Sequence, residues 1–172
     1  RAALAPAQPV GVAKRGGWPA RACEARGMPG AILSLYINNR SGGLIFHRDF
    51  HASAAKLDTN EHLRLASTFS SLALIMRQLS PIKGSSGMEL LEADGFVLQS
   101  FDTLTGIKFF VTAEPDAKNL DAVLRDIYIN YSDFVLKNPF YEMDMPIQKG
   151  GRFCQKLDKI AEEHQRMQDR RQ

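Results

Sequence analysis

The twenty residues Glu61–Ser80 contain neither glycine nor proline, and this uninterrupted run constrains the fold more than any other segment. Within it Leu65, Ala66, Phe69, Leu72, Ala73, Met76 and Leu79 recur at steps of three and four, the spacing that lines one face of an α-helix. Asp58 or Thr59 can accept hydrogen bonds from the free N–H groups of the first turn, and Glu61 stands at capping-box distance from Asp58. The Pro81 and Gly84–Gly87 region stops the helix. Burying that apolar stripe is worth on the order of 10 kcal/mol before entropy is counted. Leu63, Leu74 and Ile75 lie off the stripe, so the helix is apolar on more than one side. These three residues are therefore predicted to meet a second protein surface.

Short strand patterns flank this helix. Residues 31–38 (AILSLYIN) and 44–50 are apolar runs separated by the turn cluster Asn38–Gly43, which predicts a hairpin. After the helix come 88–93, 96–102 and 107–113, joined by Asp94-Gly95 and Leu104-Thr105-Gly106; three strands with tight turns form an antiparallel meander. A second helix is predicted from a cap at Asn119 to about Leu136, on the stripe Leu120, Val123, Leu124, Ile127, Tyr128, Tyr131, Phe134 and Val135. Asn138-Pro139 ends it. Beyond Gly150-Gly151 a charged helical tail carries a thin apolar edge of Phe153, Leu157, Ile160 and Ala161, with a frayed end from Arg166 to Arg171. The order is β-β-α-β-β-β-α plus a tail, an α+β arrangement with one antiparallel sheet flanked by helices. Residues 28–147 form the expected domain and 148–172 the tail. Residues 1–27 read as a disordered or artefactual extension, with Met28 as the natural start.

Charge and chemistry exclude several functions. The net charge is +3. Residues 1–27 hold Arg1, Lys14, Arg15, Arg21 and Arg26 against the single acid Glu24, so the remainder is slightly acidic and gives no reason to expect nucleic acid. No apolar run reaches the ~18 residues that span a bilayer. Cys23 and Cys154 make neither a disulfide framework nor a zinc spacing. Lys83 precedes Gly84-Ser85-Ser86-Gly87, and a strand follows, the reverse of a phosphate loop. His47, His51, His62 and His164 lack ligand spacing and read as surface histidines. Glu89, Glu92 and Asp94 read as a solvated edge, and Cys154 has no evident base. No catalytic residue, cofactor site or metal site is expected. Asn138-Pro139-Phe140 and Tyr131-Ser132-Asp133-Phe134 match short sorting or adaptor signals, but their aromatics read more simply as core or interface anchors. Apolar faces in excess of one small core favour a protein that works by contact.

Four segments carry a family resemblance: NNRSGGLIF (38–46), QLSPIKGSSGMELLEAD (78–94), TLTGIKFFV (103–111) and YSDFVLKNPFYEMDMPI (131–147). In order, they resemble the synbindin subunits of the TRAPP tethering complex. The resemblance implies a longin (SNARE-like) domain with five antiparallel strands and helices on both faces. It implies a non-catalytic core subunit whose partners are other small TRAPP subunits. Through the assembled complex, it implies guanine-nucleotide exchange on an early-secretory Rab GTPase during endoplasmic reticulum to Golgi transport. Location would be cytoplasmic, peripheral at endoplasmic reticulum and cis-Golgi membranes. Asn138, Pro139, Phe140 and Tyr141 join Leu63, Leu74 and Ile75 as expected partner-binding residues. Phe50–Asn60 leaves no room for the PDZ-like insertion of longer members, so the short form is expected. The chain departs from the family after Ile147, where it reads Gln148–Cys154. The alternative is a longin-type regulatory module of a SNARE or coat adaptor; the heptads and membrane anchor of a SNARE are not found after Cys154.

Overall fold

The computed structural model describes residues 30–52, 54, 56–81 and 87–170. The expected features of residues 1–27 and the Lys83–Ser86 glycine-serine motif lie outside this range. Strands β1 (Ile32–Asn38) and β2 (Leu44–Asp49) precede helix α1 (Thr59–Leu79). Strands β3 (Leu90–Ala93), β4 (Phe96–Asp102) and β5 (Lys108–Ala113) then lead to α2 (Leu120–Tyr131) and α3 (Arg152–Asp169). The five strands form one sheet in the order β2-β1-β5-β4-β3, and every pairing is antiparallel. The α+β arrangement is thus as the sequence predicts.

Period-two alternation gives each strand two working faces. Leu35, Ile37, Phe109 and Val111 join the larger core, to which α2 contributes Leu124 and Ile127 and α3 contributes Phe153 and Leu157. Tyr36, Leu98 and Phe110 join Phe69 of α1 and Met88 in a second, smaller core on the other face. Phe110 stacks between Tyr36, at 4.8 Å, and Phe69, at 4.1 Å.

Several local expectations are corrected. Met76 and Leu79 are exposed although they extend the apolar stripe, because the small α1-side core ends before the last helical turn. Asn119 stands at the start of α2 but takes a left-handed conformation and makes no side-chain cap. The second helix does not stay α-helical to Leu136; residues Ser132–Leu136 widen into a π-turn. Steps of four from Ile127 through Tyr131 to Val135 would drift around an α-helix, and the wider turn returns Val135 to the core. The end of α3 is anchored: Gln168 is buried and donates to the Lys118 carbonyl at 2.9 Å. Glu61 accepts from the Asp58 N–H at 2.9 Å, as the capping spacing predicts.

Candidate functional site

Helix α1 covers one sheet face and carries large apolar side chains on its outer surface as well. Ala66, Phe69, Ser70 and Ala73 face the sheet and are buried. Leu63, Leu74 and Ile75 point away and are 46%, 54% and 58% exposed. Leu63 and Leu74 differ by eleven residues, about three full turns, so they share one side of the helix about 16 Å apart. Ser67 and Ser71 lie on the outer surface as well. Their hydroxyls already donate to the carbonyls of Arg64 and Ser67, so these short side chains ask nothing of a neighbour and let another surface approach closely.

Asn138, Pro139, Phe140 and Tyr141 form the second expected site, beyond the π-turn. Asn138 Oδ1 accepts from the Phe140 N–H at 3.2 Å, which folds the segment back. Phe140 is turned outward and 90% exposed, with Met143 and Met145 exposed nearby. Tyr141 is half-buried against the core, and its hydroxyl donates to the Met145 carbonyl. The Tyr131-Ser132-Asp133-Phe134 peptide is not displayed: the Tyr131 ring is buried and lies 5.3 Å from that of Phe109.

The histidines differ from the surface reading. His62 and His164 are buried. His47 of β2 and His62 of α1 stack with ring centroids 4.1 Å apart, and Tyr36 Oη lies 3.0 Å from His62 Nδ1. The cause is tertiary: His47 pairs across from Tyr36 on the sheet face that α1 covers. His47, Asp49 and His62 offer ligand atoms within 4.8 Å of one another. The two imidazoles lie face to face rather than edge-on to a common point, and Lys149 Nζ sits 3.5 Å from His47 Nδ1. Asp49 is engaged by the Ser34 hydroxyl at 2.7 Å. That geometry describes a packed polar cluster with a cation beside it, not a convergent ligand set.

Burial, then Lys149 and His62, hold the His47 imidazole below its ordinary value of 6.5. The unfolded chain therefore takes up this proton first as pH falls, so stability declines from about pH 6.5 down through the lower folded value. The urea midpoint should drop between pH 7.5 and pH 5.5, and His47→Gln should reduce that drop. An unchanged slope in the variant would remove His47 as the cause. Burial also pushes Tyr36 up to about 12, with Asp49 adding to the effect, so its phenol keeps its proton throughout this range.

Cys154 is buried, and its sulfur accepts from the Gly150 N–H at 3.4 Å; it serves packing at the start of α3. Among the described residues no helix is long and apolar enough to cross a membrane. What the site offers is surface: an apolar helix face and an outward phenylalanine, supported by a rigid sheet.

Comparison with known proteins agrees with the folded framework. Residues 32–164 match the model of the Sybindin-like family. The trafficking protein particle complex subunit 4 of Dictyostelium discoideum is 49% identical over 118 residues, covering 68% of this chain and 87% of that protein. The human subunit 4 is 57% identical over 93 residues, covering 54% of this chain; the match spans only 42% of that longer protein. The Dictyostelium subunit 1 is more distant, at 27% over 115 residues, covering 64% of this chain and 81% of that protein. With most of the chain matched and the sheet and all three helices inside or overlapping the matched span, this chain belongs to the Sybindin-like family.

Proposed function

We propose that this chain is a non-catalytic core subunit of a TRAPP vesicle-tethering complex. In this reading it binds other small subunits and contributes, within the assembly, to Rab guanine-nucleotide exchange in endoplasmic reticulum to Golgi transport. It would reach cytoplasmic membrane surfaces peripherally, through the complex. The observation that carries the reading is the outer face of α1, where Leu63, Leu74 and Ile75 stand half-exposed on a helix whose opposite side is already packed. Large apolar side chains gathered on one face mark an interaction surface. The Asn138–Tyr141 segment, with Phe140 outward, supplies a second contact. Residues 28–147 would form the domain, with the 148–172 segment completing its core through Phe153 and Leu157.

Leu74→Asp combined with Ile75→Asp tests this directly. Both side chains are outside the core, so the thermal midpoint should move by no more than about 2 °C, because surface changes stay within about 0.5 kcal/mol. Co-purification with the other small subunits should fall at least tenfold, since truncating or charging a central interface residue costs ~2 kcal/mol or more. Intact assembly of a well-folded double variant would refute the α1 surface. Global unfolding would instead assign the two residues to the core.

A further inference from the structure

The end of the sheet that meets α1 holds a buried cation without a hydrogen-bond partner. Lys108, the first residue of β5, is only 7% exposed, and its Nζ makes no hydrogen bond. Its side chain lines an open groove of about 720 Å³ between the β1–β2 turn, α1 and the β4–β5 turn, with Nζ itself shielded from solvent. Arg40 and Arg77 also line this groove. Neither forms an ion pair among the described residues.

The groove owes its shape to close approaches at glycine. Gly42 and Gly106 have φ of +88° and +89°, and a Cβ would meet Ser70 Cβ at 3.1 Å and Arg40 Cγ at 3.0 Å respectively. The two turns therefore close against α1 and against Arg40 because neither carries a side chain at these positions.

The carboxylate that lines the groove is Asp102, paired opposite Lys108 across β4 and β5. No ion pair joins them, and burial raises the Asp102 carboxyl despite the opposing pull of Lys108 and Arg77. Three cations against one acid leave a net positive groove. A buried ammonium without a hydrogen bond is costly, and an anion supplied from outside would provide one.

The lining favours carboxylates on a polypeptide over a phosphate group. Phosphate sites combine cations with free N–H or O–H donors. Of the hydroxyls that line the groove, those of Ser67, Ser71 and Thr103 already donate to carbonyls, so few remain for a phosphate. The groove is edged by apolar Leu74 and by Leu104, both exposed. Cations flanked by leucines complement a segment that alternates acidic and apolar side chains.

We infer that this groove docks an acidic, leucine-bearing segment of a neighbouring subunit, with Lys108 as the buried counter-ion for one of its carboxylates. The inference rests on the reading of the chain as a complex subunit, and it names the chemistry of one contact.

Carbodiimide treatment of the full chain assembled with the other small subunits tests it, since that reagent joins an ammonium to a carboxylate in direct contact. Mass spectrometry should find Lys108 joined to an Asp or Glu of another subunit. Lys108→Met should abolish that link, and Arg40→Glu with Arg77→Glu, both on the surface, should weaken assembly at least tenfold with an unchanged thermal midpoint. The inference is overturned if the complex forms but Lys108 links only to Asp102 of its own chain, or if the double variant assembles normally. It is also overturned if vesicles containing phosphatidylinositol bisphosphate bind the free chain and lose it in Lys108→Met, which would make the occupant a phosphate. Absence of any complex would instead remove the subunit reading itself.

Discussion

Phe110→Ala should destabilise the protein by about 3–5 kcal/mol, the range for removing a buried phenylalanine. Phe110 is fully buried and sits between Tyr36 and Phe69, nearly parallel to Tyr36. The aromatic contacts add about 0.5–1.5 kcal/mol beyond area. The α1-side core is small, with Tyr36, Phe69, Met88, Leu98 and Phe110 as its buried members, so few neighbours can move in to fill the space. The loss should be local. Urea unfolding should show the full decrease, and amide exchange should quicken in α1 while α2, packed on the opposite face, keeps its protection. A loss below ~1.5 kcal/mol, or uniform loss of protection, would show that the two cores do not stand apart energetically. Because α1 presents Leu63, Leu74 and Ile75, a loosened helix should also weaken assembly under the proposed function.

Ending the chain at Gly151 should be still more damaging, leaving an aggregated or molten product. Helix α3 inserts Phe153 and Leu157 into the larger core, and the Phe153 ring meets Phe46 at 5.4 Å and Tyr131 at 6.3 Å. Burying a phenylalanine and a leucine stabilises by about 1.5–3 kcal/mol each, a large part of the 5–15 kcal/mol that holds a typical domain together. Arg48 donates to both oxygens of Asp158 at 2.8 Å. Both side chains are a third or more exposed, so this ion pair orients α3 more than it stabilises it. Leu157→Ala separates core loss from chain shortening and should cost about 2–5 kcal/mol. Circular dichroism and urea titration of the two proteins provide the check. A shortened chain with the parent's cooperative transition would show that residues 152–170 ride on a domain complete without them.

The two predictions concern residues that were not equally legible. Phe110 could be placed on a strand, since 107–113 reads as one, although the consecutive apolar residues Phe109, Phe110 and Val111 do not say which face it takes. The sequence also determined the helix over 59–79, its Glu61 capping contact, the Asp94-Gly95 hairpin and the apolar residues left over at Leu63, Leu74 and Ile75. Each depends on neighbours a few residues away, so local periodicity suffices.

Tertiary structure alone decided the rest. It set β1 beside β5 at the centre of the sheet, and that pairing buries Asn38, which donates to the Ala66 carbonyl and the Ser70 hydroxyl at 2.8 Å each. Locally, Asn38 looks like a turn residue. It brought His47 against His62, turned the thin edge of a charged tail into core at Phe153 and Leu157, and left Lys108 buried without a hydrogen-bond partner. A side chain's type and spacing encode which way it points from its own helix or strand. What it then meets depends on strand order and register, which are set by contacts between residues far apart in the chain.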